Sequence, residues 1–158
     1  MNIKLIPITI EMIDSLLISN DFFKNKYGLI NDAGEFLVPD DEYLKKIRAR
    51  LVIHPEEYPL AVDHLIVLDN VVIGSIYFKY LPEGGVTEIG YGMTHTYEGH
   101  GYMSEAVRQM IEFGKNNEVT TVLANTLIDN TKSQNLLKRL GFVKYKKKDN
   151  ILYYRLDI

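Results

Sequence analysis

The sequence of 158 residues predicts an α+β fold in which a mixed β-sheet is flanked by helices. Three observations carry this. From Ala61 to Thr94 the pattern is that of strands separated by two turn sequences, Asp69-Asn70 and Pro82-Glu83-Gly84-Gly85, which reads as an antiparallel meander. Met103, Ala106, Val107, Met110, Ile111 and Phe113 then recur at helical spacing. The run Thr120 to Leu127, rich in β-branched residues, follows that helix. A helical crossover sets it parallel to the strand Val86–Thr94.

In chain order, Asn2 to Ile6 reads as a short strand stopped by Pro7. Thr9 can cap the next helix, whose Ile10, Ile13, Leu16 and Leu17 share one face. Asp21 to Glu35 mixes aromatics, lysines and glycines and reads as a loop or a broken helix. Asp40 or Asp41 opens a helix with Tyr43, Leu44, Ile47 and Leu51 inward and the Lys45-Lys46-Arg48-Arg50 cluster on its solvated face. Pro55 and Pro59 end that pattern. The strands His64–Leu68, Val71–Tyr80 and Val86–Thr94 follow, then a helix from Met103 to about Asn117 and the strand Thr120–Leu127. Asn130 to Leu140 is the last helix, with Gly141 as its closing residue. Phe142 to Lys147 and Ile151 to Asp157 form a terminal hairpin about Asp149-Asn150. The chain reads as one domain over residues 1–158, without repeats or linkers.

Composition removes several function classes. Apolar residues near half (46%) and charged residues near a quarter (25%) are ordinary for a globular domain with a real core. A net charge of −3 argues against a general binder of nucleic acid or anionic membranes, but not against a single phosphate ligand held by main-chain amides. The chain has no cysteine, which excludes disulfides, thiolate metal sites and a cysteine nucleophile. No apolar run approaches the ~20 residues of a spanning helix, and Met1 to Pro7 lacks the apolar core of a signal peptide. The expectation is a cytoplasmic protein without a metal.

The stretch around which the chain is organised is Thr96-Tyr97-Glu98-Gly99-His100-Gly101-Tyr102-Met103-Ser104-Glu105-Ala106. Two glycines sit where a strand ends and a helix begins. Such a turn can aim several N–H groups at one point, and the helix N-terminus adds partial positive charge, which suits a diphosphate. Gly-x-Gly also closes ordinary strand-to-helix turns. A dinucleotide fingerprint would need a third glycine where Ser104 stands, and a Walker-type loop would need Lys-Ser or Lys-Thr after its glycines.

Three segments in one order resemble the GNAT family of acetyl-CoA-dependent N-acyltransferases, above all the branch containing the ribosomal-protein α-amino acetyltransferases. They are Glu88-Ile89-Gly90-Tyr91-Gly92-Met93, then Gly99 to Ala106, then Asn130-Thr131-Lys132-Ser133-Gln134-Asn135-Leu136-Leu137-Lys138-Arg139-Leu140-Gly141-Phe142. The resemblance runs from about Leu65 to the C-terminus. It implies a GNAT fold with a splayed parallel strand pair, acetyl-CoA (coenzyme A) as donor, and a small-molecule or peptide amine as acceptor. Nucleic acid and membrane are not implied as partners, and a monomer or homodimer is expected. The alternative is a non-catalytic acyl-CoA-binding module on the same fold.

By that resemblance the main-chain groups of Tyr91 and Met93 pair with the pantetheine arm, and one of their N–H groups serves as oxyanion donor. Glu98, Gly99, His100, Gly101, Tyr102 and Met103 hold the diphosphate, largely through main-chain groups. The family usually has Gln or Arg where this chain has Thr96. Asn130 would bond pantetheine amides beyond capping its helix, and Ser133 would face the cofactor one turn on. Direct attack needs a neutral amine, so a base or a water chain must take its proton. Glu88, near the splay, is the carboxylate best placed for this, with His95 behind it. Many members carry a tyrosine proton donor in the last helix where this chain has Leu137. Ser133 and Tyr145 are the substitutes.

Overall fold

The computed structural model describes residues 2–33 and 41–158. Among these, eight strands form one mixed sheet with the order β1-β3-β4-β5-β6-β8-β7, and β2 is added beside β4. Strand β1 (Ile3–Pro7) lies antiparallel to β3 (His64–Leu68), which turns at Asp69-Asn70 into β4 (Val71–Phe78). Strand β5 (Val86–Met93) continues the meander. Strand β6 (Thr121–Leu127) runs parallel to β5 and antiparallel to β8 (Ile151–Asp157), which carries β7 (Val143–Lys148) at the edge.

Five helices are described. Helix α1 (Ile10–Ile18) starts as the sequence predicts, with Thr9 Oγ1 accepting from Met12 N at 3.1 Å. The stretch expected as a loop or broken helix instead forms helix α2 (Asn20–Tyr27) and strand β2 (Ile30–Asn31) over its described part. Ser19 caps α2 by accepting from Phe22 N at 3.0 Å, and Gly28 closes it at φ 68. Phe23 is the one fully buried residue of α2, and Tyr27 packs beside it. Helix α3 (Asp41–Ile53) begins at the first described residue after the gap; Gly34, Glu35 and Asp40 lie outside the described residues. Its Leu44 and Leu51 face the core while Lys45 and Lys46 are exposed. Arg48 and Arg50 are paired, with Asp14 at 2.6 Å and Glu57 at 2.5 Å. Helix α4 (Tyr102–Lys115) and helix α5 (Thr131–Arg139) complete the set. Helix α5 ends in the predicted manner: Phe142 N donates to Leu137 O, Gly141 N to Lys138 O, and Gly141 adopts φ 92.

Two cores hold the layers together. On one face of the sheet, Ile66, Ile76, Phe78, Ile89 and Met93 pack against Ala106, Val107 and Met110 of α4 and Leu136 and Leu137 of α5. On the other, Leu65, Val67 and Val72 meet Met12, Ile13, Leu16, Phe23, Leu44 and Leu51. Each fully buried side chain of this size contributes roughly 1.5–3 kcal/mol through burial. The second face also buries a polar pair: Tyr43 Oη donates to Asp63 Oδ1 at 2.5 Å, and Asp63 is 3% exposed.

Candidate cofactor and acyl-transfer site

The site forms where the sheet comes apart. Strand β5 is paired with β4 from Phe78–Ile89 through Gly74–Met93, without a register break. Its ladder to β6 is only three pairs long, Val86–Thr121, Thr87–Val122 and Glu88–Leu123. Beyond Glu88 the parallel strands part, and among the described residues no strand lies beside the β6-facing edge of Ile89–Met93. Gly90 sits in a regular ladder rather than a bulge, and a Cβ on it would stand 2.6 Å from the Tyr77 ring that lies across it.

The turn after β5 is built for close approach by a ligand. Gly99 and Gly101 take φ 78 and 82, and a Cβ at Gly99 would meet nothing within 4 Å. Gly101 is the N-cap of α4 and offers no side-chain acceptor, whereas Thr9, Ser19 and Asn130 cap α1, α2 and α5. The first-turn N–H groups of α4 are therefore left uncapped by any side chain, at the positive end of a 14-residue helix. That environment fits a diphosphate.

Turn and gap open into one cavity of about 720 Å³. Tyr91, Met93, Glu98, Gly99, Gly101, Tyr102, Met103, Asn130 and Ser133 all line it. His100 does not: its ring stacks on Tyr102, with centroids 5.5 Å apart. Asn130 Oδ1 accepts from Ser133 N at 3.1 Å, while its amide nitrogen has no partner among the described residues. His95 lines the cavity but is largely exposed, 3.2 Å from Glu98. Leu137 is buried in the core, and Tyr145 is exposed on β7, away from the cavity.

Glu88 stands at the root of the gap rather than in the cavity wall. Its Oε2 lies 2.9 Å from Lys79 Nζ, and its Oε1 accepts from Asn125 Nδ2 at 3.0 Å. The structure thus gives this carboxylate two partners, one just past the end of β4 and one in β6, that spacing along the chain could not reveal.

Three further side chains belong to the cavity. Tyr91 was expected to act through its main chain, yet its phenol reaches α5 and lies 2.8 Å from Ser133 Oγ. Burial pushes this phenol's pKa up, against the hydrogen bond to Ser133. Lys132, on the first turn of α5, lies 2.7 Å from Glu98, and this ion pair together with His95 holds the Glu98 carboxyl below its usual range. Arg139 donates to Ser104 Oγ at 3.2 Å and has no acidic partner among the described residues. A cationic helix face toward the turn was the available signal for Lys132 and Arg139.

A parallel pair that splays beside a glycine turn at a helix N-terminus, within this strand order, defines the GNAT fold. The chain matches the acetyltransferase (GNAT) domain over residues 4–143, and it belongs to that family. The match reaches back through the first sixty residues, where the sequence motifs are silent. A curated relative, the ribosomal-protein-serine acetyltransferase of Escherichia coli (strain K12), is 24% identical over 111 residues, covering 69% of this chain and 61% of that protein's length. The ribosomal-protein-S5-alanine acetyltransferase from Vibrio fischeri superposes with a TM-score of 0.72 at 20% identity, covering 99% of this chain and 93% of the other. RimL, a ribosomal L7/L12 α-N-protein acetyltransferase in complex with coenzyme A, gives a TM-score of 0.73 at 17% identity, with 100% and 95% covered. At these identities the superpositions establish the fold.

Proposed function

We propose that this chain is an N-acetyltransferase that moves an acetyl group from acetyl-CoA to a primary amine, with a polypeptide N-terminus as the leading acceptor. The observation that carries the reading is the convergence of the splayed β5 edge and the uncapped glycine turn on one cavity. The solved neighbour with coenzyme A and the names of the relatives support it.

When bound, acetyl-CoA supplies an activated thioester. The chain's own groups then have separate tasks. N–H groups of Gly99 to Met103 hold the diphosphate. The free edge of Tyr91 to Met93 lines up the pantetheine arm and polarises the carbonyl. The Asn130 amide nitrogen adds a polar contact. Attack by the neutral amine forms the C–N bond and breaks the C–S bond. Glu88 takes the amine proton, directly or through water, and Ser133 returns a proton to the leaving thiolate with Tyr91 behind it. Neither step needs a covalent enzyme intermediate.

Thiol release from acetyl-CoA, measured with a panel of amines, tests this. The panel holds a peptide with a free N-terminus, the same peptide N-blocked, a polyamine and buffer alone. Stimulation by the free peptide over the blocked one is the expected result. Coenzyme A binding by calorimetry without stimulation by any amine would establish the non-catalytic acyl-CoA-binding module instead.

A further inference from the structure

The end of the chain carries charge of the opposite sign to the rest. Residues 138–158 hold seven Lys or Arg against two Asp, a surplus of five positive charges; the preceding 137 residues hold eleven against nineteen, a deficit of eight. Strand β7 is exposed at every position. Its register sets Val143 opposite Arg155, Lys146 opposite Tyr153 and Lys148 opposite Ile151, while β6 sets Asn125 opposite Tyr153 and Leu127 opposite Ile151. Asn125 bonds Glu88, so these residues share the face of the sheet that carries the Glu88 carboxylate. On the reverse face, Leu152 and Tyr154 are buried with α5.

Among the described residues, no helix covers the β7 side of this front face. Val143, Tyr145 and Leu127 are 67%, 52% and 55% exposed. Lys146 Nζ lies 5.0 Å from the Tyr153 ring centroid, and the Tyr145 and Tyr153 rings are 6.4 Å apart. Among the described residues no carboxylate lies within 4.0 Å of Lys146 or Lys148, and Arg155 is paired with Asp157 at 3.0 Å. Lysines on an edge strand discourage strand-to-strand association. That function does not require uncovered Val143, Tyr145 and Leu127 beside them, nor the concentration of charge in one hairpin.

We infer that the β6–β8–β7 face is a docking surface for an acidic stretch of a polypeptide acceptor whose amino end lies at Glu88. The inference rests on the acetyltransferase reading and extends it to acceptor choice. Charge complementarity and interleaved apolar side chains select an acidic polypeptide as the occupant. From β5 to β7 is three strand spacings, roughly 14 Å at about 4.8 Å each. An extended peptide covers that in about four to five residues, so the acidic side chains belong at about the fourth to sixth positions of the acceptor.

The test compares kcat/KM for three acceptors: a peptide with Asp and Glu at those positions, the same peptide with Asn and Gln there, and the dipeptide amide of its first two residues. Wild type should favour the acidic peptide. K146E/K148E should lower its kcat/KM about tenfold, mainly through KM, as expected for two exposed charge contacts turned repulsive. The dipeptide and coenzyme A affinity should not move. K144E/K147E, on the reverse register, should have a much smaller effect. Equal use of acidic and amidated peptides by wild type, or a loss shared by the dipeptide, overturns the inference. Anisotropy of a labelled acidic peptide reads the same surface without chemistry. If no amine is acetylated but this peptide binds wild type and not K146E/K148E, the docking surface stands and the catalytic reading falls; no difference between the two proteins overturns the surface. Tighter binding of a single-stranded RNA oligonucleotide than of the acidic peptide would overturn the polypeptide assignment.

Discussion

Tyr91 Oη and Ser133 Oγ lie 2.8 Å apart, joining the splayed strand to the first turn of α5. Within the acetyl-transfer reading this pair is the proton source for the leaving thiolate. Ser133→Ala should lower kcat by about 10²-fold with little change in coenzyme A affinity, the low end of general acid catalysis. Tyr91→Phe should cost less, and the double variant about as much as Ser133→Ala, because the two act as one unit. Fully multiplicative losses in steady-state kinetics would separate them.

Replacing Gly99 or Gly101 by valine places a β-branched residue at φ 78 or 82 and a side chain where phosphate would sit. Coenzyme A affinity should fall at least about tenfold, as for loss of one charge-assisted contact. Calorimetry gives the affinity, and circular dichroism checks that the fold persists. Unchanged affinity in both variants would remove the site from this turn.

Glu88→Gln keeps the hydrogen bond from Asn125 and removes the basic oxygen. Its kcat should drop by about 10²-fold or more, and the deficit should shrink as pH rises and the amine becomes neutral. A deficit equal at every pH would identify Glu88 as a positioning residue that anchors Lys79 and Asn125.

Buried Asp63 gives a pH prediction for stability. Burial pushes its pKa up to about 6, with Tyr43 and Ser75 pulling the other way, and Oδ2 has no hydrogen-bond partner among the described residues. The folded state therefore keeps this proton at pH values where the unfolded chain has lost it. The stability it contributes is complete below about pH 4, is lost as pH rises to about 6, and amounts to roughly 3 kcal/mol. Urea unfolding of wild type and Asp63→Asn should show the variant gaining on wild type across that window. The carboxylates held low by cations, Asp14 and Glu57 among them, slope the opposite way in both proteins and cancel. A constant difference between the two proteins would refute the assignment.

The sequence carried the fold further than the chemistry, for physical reasons. Hairpin turns and helix caps are local, so Asp69-Asn70, Thr9 and Gly141 were legible. Helix α2 was legible only as a loop or a broken helix because Phe23 is its single buried residue amid polar ones, although its Ser19 cap and Gly28 stop were present. Strand β2 is two residues long and exists only through its pairing with β4, which no local pattern encodes. The glycine turn was legible because conformation dictates composition there. The Tyr91–Ser133 contact and the Lys79–Glu88–Asn125 cluster were not, since each depends on how distant elements cross.

The three-pair ladder between β5 and β6 has a consequence for how the molecule opens. Along the order β1-β3-β4-β5 and along β6-β8-β7 the ladders are longer, five to seven pairs each, so the backbone seam between β5 and β6 is the shortest in that main strand order. Amide protons at Thr121 to Leu123 should then exchange with solvent through a partial opening less costly than global unfolding. A ligand lying along the parted edges spans that seam, so its binding should slow exchange on both sides at once. The parted edges that line the cavity thus lie along the shortest backbone ladder of the main strand order.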